Sequence, residues 1–503
     1  MMAVHLLPMT LIGVPIVAAA IIFSLGRWSR ICREGAAFGA ALLTVYLAGL
    51  TAAQVIGGVG AITGPPGLRA DGLSALMVLL VSVLSLVIVG YSLQYMQKEL
   101  QEGKTTTKRL VIYYGLLMLF LAAMMWVCLT NNMIWLYVAL EATTLATALM
   151  VCFHWSRQGM EASYKYVLLV VTGLCFALFG TVLLYSAAAQ YAPGQPALLL
   201  TELGRIIPQI PRSVSLLAVA FFVVGFGTKA GLIPFHAWLP DAHSEAPAPI
   251  SALLSGLVIK VGAYALARTI TIFAPHYDAV IVFVAIMASA SMLIGILLAL
   301  AQDDLKRMLA YSTVSQVGYI IEGLGFGTYL GVYGGLFHLV NHSLYKVLLF
   351  LSVGAVMYAT GGMRRISELK GLGRRMPITA VCFLVGAFAI GGLPPLNGFW
   401  SKMMLYMAGG ELHLWWAVAI GLLVSILTLV CLVRAGYRIF CGHPTTEPAT
   451  NPGLKEVPVS IWLGMIVLAV LCLVIGVYPQ LIHPLLHRGT ESILAVYRAG
   501  AIP

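Results

Sequence analysis

Runs of about twenty apolar residues follow one another along the whole chain, and a run of that length crosses the roughly 30 Å hydrocarbon core of a bilayer as a helix. Inside lipid every backbone N–H and C=O must be paired, which leaves only helices or closed barrels. The short alternating strands of a membrane barrel do not occur. With 60% hydrophobic and 9% charged residues among 503, the chain reads as an all-α polytopic membrane protein and not as a string of soluble domains. About 14 spans are expected, near 8–25, 35–60, 73–96, 110–128, 131–153, 164–189, 214–235, 247–270, 277–301, 307–325, 329–358, 377–407, 414–440 and 457–479. The segment 198–212, broken by Pro208 and Pro211, reads as an interfacial loop, and a tail of about two dozen residues follows the last span. The N-terminus lacks the basic region of a signal peptide, so the first run is expected to stay as a span.

Charge sets the orientation. Loops after odd-numbered spans carry Arg27, Arg30, Arg33, Lys98, Lys104, Lys108, Arg109, Arg157, Lys306, Arg307, Arg364, Arg365, Lys370, Arg374, Arg375, Arg434, Arg438 and Lys455. The other face carries Arg69, Arg205, Arg212, Arg268, Arg488 and Arg498. The positive-inside rule places the richer face in the cytoplasm and both termini outside, and it accounts for the net charge of +11 without nucleic acid. The eight cysteines form no CxxC pair, which argues against a disulfide framework, an iron–sulfur cluster or c-type haem.

Four lysines remain deep in apolar runs: Lys229, Lys260, Lys346 and Lys402. Glu141 is the one acidic residue near the centre of a span, and Glu322 lies near a span end. A charge at membrane depth costs about 2.5–3.5 kcal/mol on insertion scales, so these positions are read as functional. Four lysines cannot all pair with one carboxylate, and burial and like-charge repulsion push lysines toward proton exchange. On the eleventh span His338, His342 and Lys346 recur at every fourth residue, nearly on one face, as a relay for protons would require. The two histidines lack a third ligand for a metal, and no cofactor is expected in this chain. A sodium site wants several oxygen ligands, so one central carboxylate favours protons.

Spans seven and twelve share a grammar. Glycines and Lys229 precede Pro234; glycines and the Pro394–Pro395 pair precede Lys402. Broken helices in corresponding positions suggest inverted repeats with opened backbone at the midplane. Between them, His236, Asp241, His243 and Glu245 form a polar segment, expected at a cytoplasmic mouth or interface.

At these residues the chain resembles the antiporter-like subunits of the complex I superfamily. That superfamily covers NADH–quinone oxidoreductase, membrane-bound hydrogenases and Mrp-type cation/proton antiporters. The stretches that carry the resemblance are KAGLIPFHAWLPDAHSEAPAPISALLSGLVIKVGAYALAR (229–268), DLKRMLAYSTVSQVGY (304–319), HLVNHSLYKVLLF (338–350) and GLPPLNGFWSK (392–402), with Glu141 in NNMIWLYVALEATTLA. The resemblance implies N-terminal spans 1–3 over 1–109 and two inverted five-helix repeats, over 110–272 (spans 4–8) and 273–440 (spans 9–13). The last span and tail would occupy 441–503. It implies that Glu141 and Lys229 form a controlling ion pair, with Lys260 the central connecting lysine. His338, His342 and Lys346 would belong to a hydrophilic axis, and Lys402 would be the terminal lysine. The implied partners are further antiporter-like membrane subunits and a peripheral redox arm with iron–sulfur clusters, in a prokaryotic cytoplasmic membrane. PDAHSEAPAPISALLSG and GLPPLNGFWSK look most like the hydrogenase-type subunits.

Overall fold

The computed structural model describes residues 4–65, 67–441 and 453–498. The helices, in chain order, are α1 (Leu7–Leu25), α2 (Ala36–Gln54), α3 (Gly72–Gln101), α4 (Thr107–Leu129), α5 (Met133–Val151) and α6 (Arg157–Tyr191). A short α7 (Leu203–Ile206) precedes α8 (Arg212–Ala230), α9 (Trp238–Glu245), α10 (Ala248–Leu253), α11 (Ile259–Phe273) and α12 (Asp278–Leu300). Then come α13 (Leu305–Gly325), α14 (Tyr329–Thr360), α15 (Pro377–Gly391), α16 (Asn397–Glu411) and α17 (Trp415–Phe440). The last two are α18 (Val459–Val477) and α19 (His483–Arg498). One hairpin, β1 (Ile62–Gly64) with β2 (Leu68–Ala70), pairs antiparallel ahead of α3.

Among the described residues, twelve helices are long and apolar enough to cross a membrane, α10 and α11 counting as one run. The polytopic all-α class read from the sequence holds. Helix α13 falls outside that set because it carries Ser312, Thr313, Ser315, Gln316 and Glu322, all buried. A helix enclosed by protein on every side need not be apolar. Large apolar side chains are exposed on outer helices, as with Val17, Phe179 and Ile426, while Lys229 is wholly buried.

Six helices that start at a face are capped by polar side chains: Asp71 for α3, Thr106 for α4, Asn132 for α5, Ser156 for α6, Asp304 for α13 and Thr328 for α14. Neither α9 nor α16 has a side-chain cap, and each follows a break inside the bundle. Helix α8 ends in left-handed Gly231 (φ 77°) and α15 in left-handed Gly392 (φ 82°), a conformation costly for any residue with a Cβ. The segments that follow contain the cis bonds Ile233–Pro234 and Pro394–Pro395.

Span seven therefore departs from its expected end at 235. The helix stops at Ala230, and the polar segment folds as α9, the second half of the same broken element. The expected span 377–407 likewise divides into α15 and α16. The interfacial segment holds α7 and contacts the start of α5 through Leu200 N to Asn131 O (2.9 Å). The C-terminal tail forms α19, where Ser492 Oγ accepts from Gly72 N (2.9 Å) at the start of α3.

The connecting segments sort into two faces as the charge pattern requires. Lys98, His154, Glu245, Lys306 and Arg364, from helix ends and connections in five separate stretches of the chain, line one cavity. On the opposite face Arg268 meets Asp71, Asn131 Nδ2 donates to Thr201 Oγ1 (3.1 Å), and Tyr329 meets His487 (2.7 Å).

Candidate functional site

All four lysines singled out from the sequence are buried, at 0–2% exposure, as are His338 and His342. Each lysine is held by a different device.

Lys229 lies in the last turn of α8, where the helix dipole favours a cation. Its Nζ donates to Thr144 Oγ1 (2.8 Å) and to the Tyr166 hydroxyl (3.3 Å), and that hydroxyl is 2.7 Å from Thr147 Oγ1. The partner differs from expectation. No carboxylate lies within 4.0 Å of Lys229 among the described residues, and Glu141 Oε1 is buried without a hydrogen-bond partner. Glu141 and Thr144 stand one turn apart on α5, so the threonine occupies the place of a direct partner while the carboxylate waits beside it. Glu141 and Lys229 make no ion pair within 4.0 Å in this structure.

Lys260 exploits an irregularity. Between α10 and α11 the chain takes a π-turn, Leu254–Val258, which frees carbonyls from the regular ladder. Lys260 Nζ donates to Ser255 O (2.8 Å) and contacts Nδ1 of His342 on α14. The His342 ring stacks on that of His338 with centroids 6.3 Å apart, and Tyr345 lies against both rings. His338 Nε2 faces Gln316 Oε1 (3.2 Å) and Nδ1 faces Ser401 Oγ (3.0 Å). With the amide oxygen as acceptor, the network assigns the proton of His338 to Nε2 and leaves Nδ1 to accept from Ser401.

Ser401 hands the file to its neighbour Lys402. That lysine's Nζ donates to Ile390 O (2.8 Å) and Ser425 Oγ (2.9 Å), and it lies 5.0 Å above the ring of Tyr319, itself 5.3 Å from His338. The carbonyls freed where α15 breaks thus hold a cation supplied by α16, the sign of charge that a helix dipole favours at its C-terminus. Lys346 leaves the axis in the other direction, donating to Leu309 O (2.8 Å) and Ser312 Oγ (2.6 Å) of α13.

The structure brings Lys260, His342, His338 and Lys402 into one polar file, with Lys346 a turn beyond His342. Lys229 sits in its own cluster on α5, α6 and α8. The sequence reading missed the neutral links, Thr144, Tyr166, Gln316, Tyr319, Ser401 and Ser425, because a hydroxyl or amide in a span has many structural roles. It also placed Lys306 and Arg268 in loops, and both are buried. Lys306 begins α13, and its Nζ donates to Ala246 O (2.6 Å) beneath the 361–376 connection. Arg268 grips Asp71 with two hydrogen bonds of 2.6 Å. Glu322 is also fully enclosed, accepting from Ser289 Oγ (3.4 Å).

Of the polar segment, Asp241 pairs with Arg307 (3.0 Å) and Lys165 (3.6 Å), and Glu245 lies 3.8 Å from Arg364, so both stand among the basic residues of that face. His236 lies half-buried at the break, its ring 6.2 Å from Tyr311. His243 does not belong with them. Asp241 and Glu245, four residues apart, share the outer face of α9, while His243 points the opposite way. It is wholly buried, stacked 4.6 Å from Phe350, and neither ring nitrogen has a hydrogen-bond partner.

Fold and file together define a polytopic membrane protein that keeps a string of titratable side chains inside an apolar bundle. The family is shown by comparison. The family model described as "NADH:quinone oxidoreductase/Mrp antiporter, TM" matches residues 130–428, and "NADH-Ubiquinone oxidoreductase (complex I), chain 5 N-terminus" matches 58–104. The NADH-quinone oxidoreductase subunit N of Desulforudis audaxviator is 34% identical over 82% of this chain and 81% of its own. Hydrogenase-4 component B of Escherichia coli is 32% identical over 86% of this chain, which spans 66% of that relative's length. Among solved structures, a chain of the membrane-bound sulfane sulfur reductase, an archaeal respiratory membrane complex, superposes with a TM-score of 0.86 at 28% identity. That match covers 98% of this chain and 99% of that one. This chain belongs to the antiporter-like membrane subunits of the complex I superfamily.

Proposed function

We propose that the chain translocates protons along Lys229, Lys260, His342, His338 and Lys402, with no redox centre of its own, driven by electron transfer in partner subunits. The observation that carries this reading is the polar file on three helices in which Lys260 meets His342, the His342 ring stacks on His338 with centroids 6.3 Å apart, and His338 meets Ser401 beside Lys402. Imidazoles and desolvated lysines exchange protons, whereas a sodium site would need more oxygen ligands than one central carboxylate supplies. Closing the Glu141–Lys229 pair would hold a proton on the lysine, and opening it would release that proton toward Lys260. Lys346 serves the same axis from its basic-face end.

In this reading the chain crosses the membrane fourteen times, α13 and the broken α15–α16 element completing the count, with inverted repeats over 110–272 and 273–440. The basic face is cytoplasmic in a prokaryotic membrane and both termini are outside. Its partners are lipid, further antiporter-like subunits and an iron–sulfur redox arm. The wording of the 240–256 and 392–402 stretches favours a hydrogenase-type host. The 34% identity to a subunit N supports the alternative, an NADH–quinone oxidoreductase host, and an Mrp-type assembly is the third. The co-purifying subunits decide among them: a nickel–iron subunit, a flavin-bearing NADH module, or neither. The function itself is tested by protons moved per electron in sealed vesicles with Glu141→Gln and Lys229→Ala. Both should fall well below wild type; wild-type values in both would end the proposal.

A further inference from the structure

The basic face contains a cavity of about 440 Å³ that the proton file does not explain. It lies where the C-terminal end of α3, the turn after α5 and the α9–α10 junction meet the start of α13 and the end of α14. Cations surround it, but each is engaged elsewhere. Lys98 donates to Tyr358 O and lies 3.5 Å from Glu102, and Lys104 pairs with Glu102 at 2.7 Å. Arg364 pairs with Asp304 (2.7 Å) and reaches Glu245 (3.8 Å), while Lys306 is bound to Ala246 O.

Glu99 is the exception. Among the described residues no lysine or arginine lies within 4.0 Å of its carboxylate, and Oε2 is buried with no hydrogen-bond partner. His154 Nε2 lies 3.7 Å from its Oε1. Burial, then the charges of Lys306, Arg109 and Lys104, hold His154 down at about 4, so at neutral pH it is an uncharged imidazole. Tyr95 and Tyr358 complete the wall. One carboxylate thus faces a polar chamber open to the basic face, with its charge fixed by no ion pair. In the wall of the chamber, Lys306 is bound to Ala246, three residues along the chain from the buried His243 and its unpartnered ring nitrogens.

We infer that Glu99 is the proton-collecting group of this chain on its basic face: it takes a proton from water in the chamber and passes it inward past Lys306. This rests on the proton-translocating reading. The proton is the only species moved, and Glu99 returns to carboxylate after each transfer.

The test uses the whole complex in sealed vesicles, measuring proton translocation against pH on the basic-face side, with Glu99→Gln, Glu99→Asp and Lys229→Ala in parallel. Glu99→Gln should slow translocation about tenfold or more and flatten its dependence on basic-face pH, and Glu99→Asp should restore most of both. A normal rate and pH profile in Glu99→Gln, with Lys229→Ala inactive, would overturn the inference and leave the translocation reading standing. Normal translocation in Lys229→Ala would strike the underlying reading instead. If Glu99→Gln does not assemble, the wild-type complex is treated with dicyclohexylcarbodiimide, which modifies protonated carboxyls, and mapped by mass spectrometry. Modification of Glu99 that falls as basic-face pH rises supports the inference, and none between about pH 5 and 9 refutes it.

Discussion

Lys402 reaches back across the break in its own span, so that its Nζ lies 2.8 Å from the carbonyl oxygen of Ile390. A residue of α16 thereby closes the open end of α15, and one side chain both holds the broken element together and, in the proposed function, places a proton carrier next to Ser401, the partner of His338. Lys402→Ala removes both roles. Translocation should stop, and the complex should also lose about 1–2 kcal/mol of stability from the uncapped helix end. Lys402→Met, which keeps the bulk, should lose translocation to the same degree. Melting temperature and proton flux on the same preparations check this; full flux in Lys402→Met would show that the lysine only caps.

Thr144 stands where a carboxylate was expected, 2.8 Å from Lys229. Thr144→Val keeps the shape and removes the hydroxyl. The account predicts a stability cost of about 1 kcal/mol and several-fold slower translocation, because the open form of the Glu141–Lys229 pair loses its stabilising contact. Unchanged flux would mean that Thr144 is packing alone.

How much of this was legible in the sequence depends on the kind of residue. A lysine in an apolar run is conspicuous because membrane depth makes it costly, so Lys229, Lys260, Lys346 and Lys402 stood out, and the spacing of His338 and His342 marked one face. The breaks were legible from Gly231, Pro234, Gly392 and Pro394. Their consequences were not: Asp241 and Glu245 at the face and His243 in the interior come from a helical half-span that polarity alone presents as a loop. Lys306 and Arg268 read as loop charges because sequence position cannot show that neighbouring segments fold over them. The connections through Gln316, Tyr319, Ser401 and Ser425 depend on tertiary packing and leave no periodic signal.

Asp71 and Arg268 provide a control away from the file. Burial alone would raise the Asp71 carboxyl, but the adjoining Arg268 guanidinium more than offsets this and holds it at about 2. Its folded value is lower than the roughly 3.9 of an unfolded aspartate, so the pair stabilises above about pH 4, and that contribution is lost as pH falls toward 2. Asp71→Asn leaves the buried guanidinium unpaired and should cost about 3–5 kcal/mol at neutral pH. The gap between wild type and variant should narrow on acidification, with the proton-to-electron ratio of the folded variant unchanged. A gap constant down to pH 2 would contradict the assignment.

His338 joins the two halves of the file, its ring stacked on that of His342 and its Nδ1 facing Ser401 Oγ. His338→Phe keeps a planar ring but neither nitrogen, and it should lower translocation about a hundredfold, the lower end of what a positioned proton-transfer group contributes. Electron transfer by the partner subunits, assayed in uncoupled vesicles, should persist. Normal flux would show that protons bypass this histidine.

Lys260 is the residue on which the whole account turns, since it meets His342 at the centre of the bundle and has no carboxylate partner within 4.0 Å among the described residues. The most direct measurement is the number of protons moved per electron by the intact complex carrying Lys260→Met in sealed vesicles. The account predicts that the ratio drops by this chain's full contribution while uncoupled electron transfer continues; a wild-type ratio would contradict it.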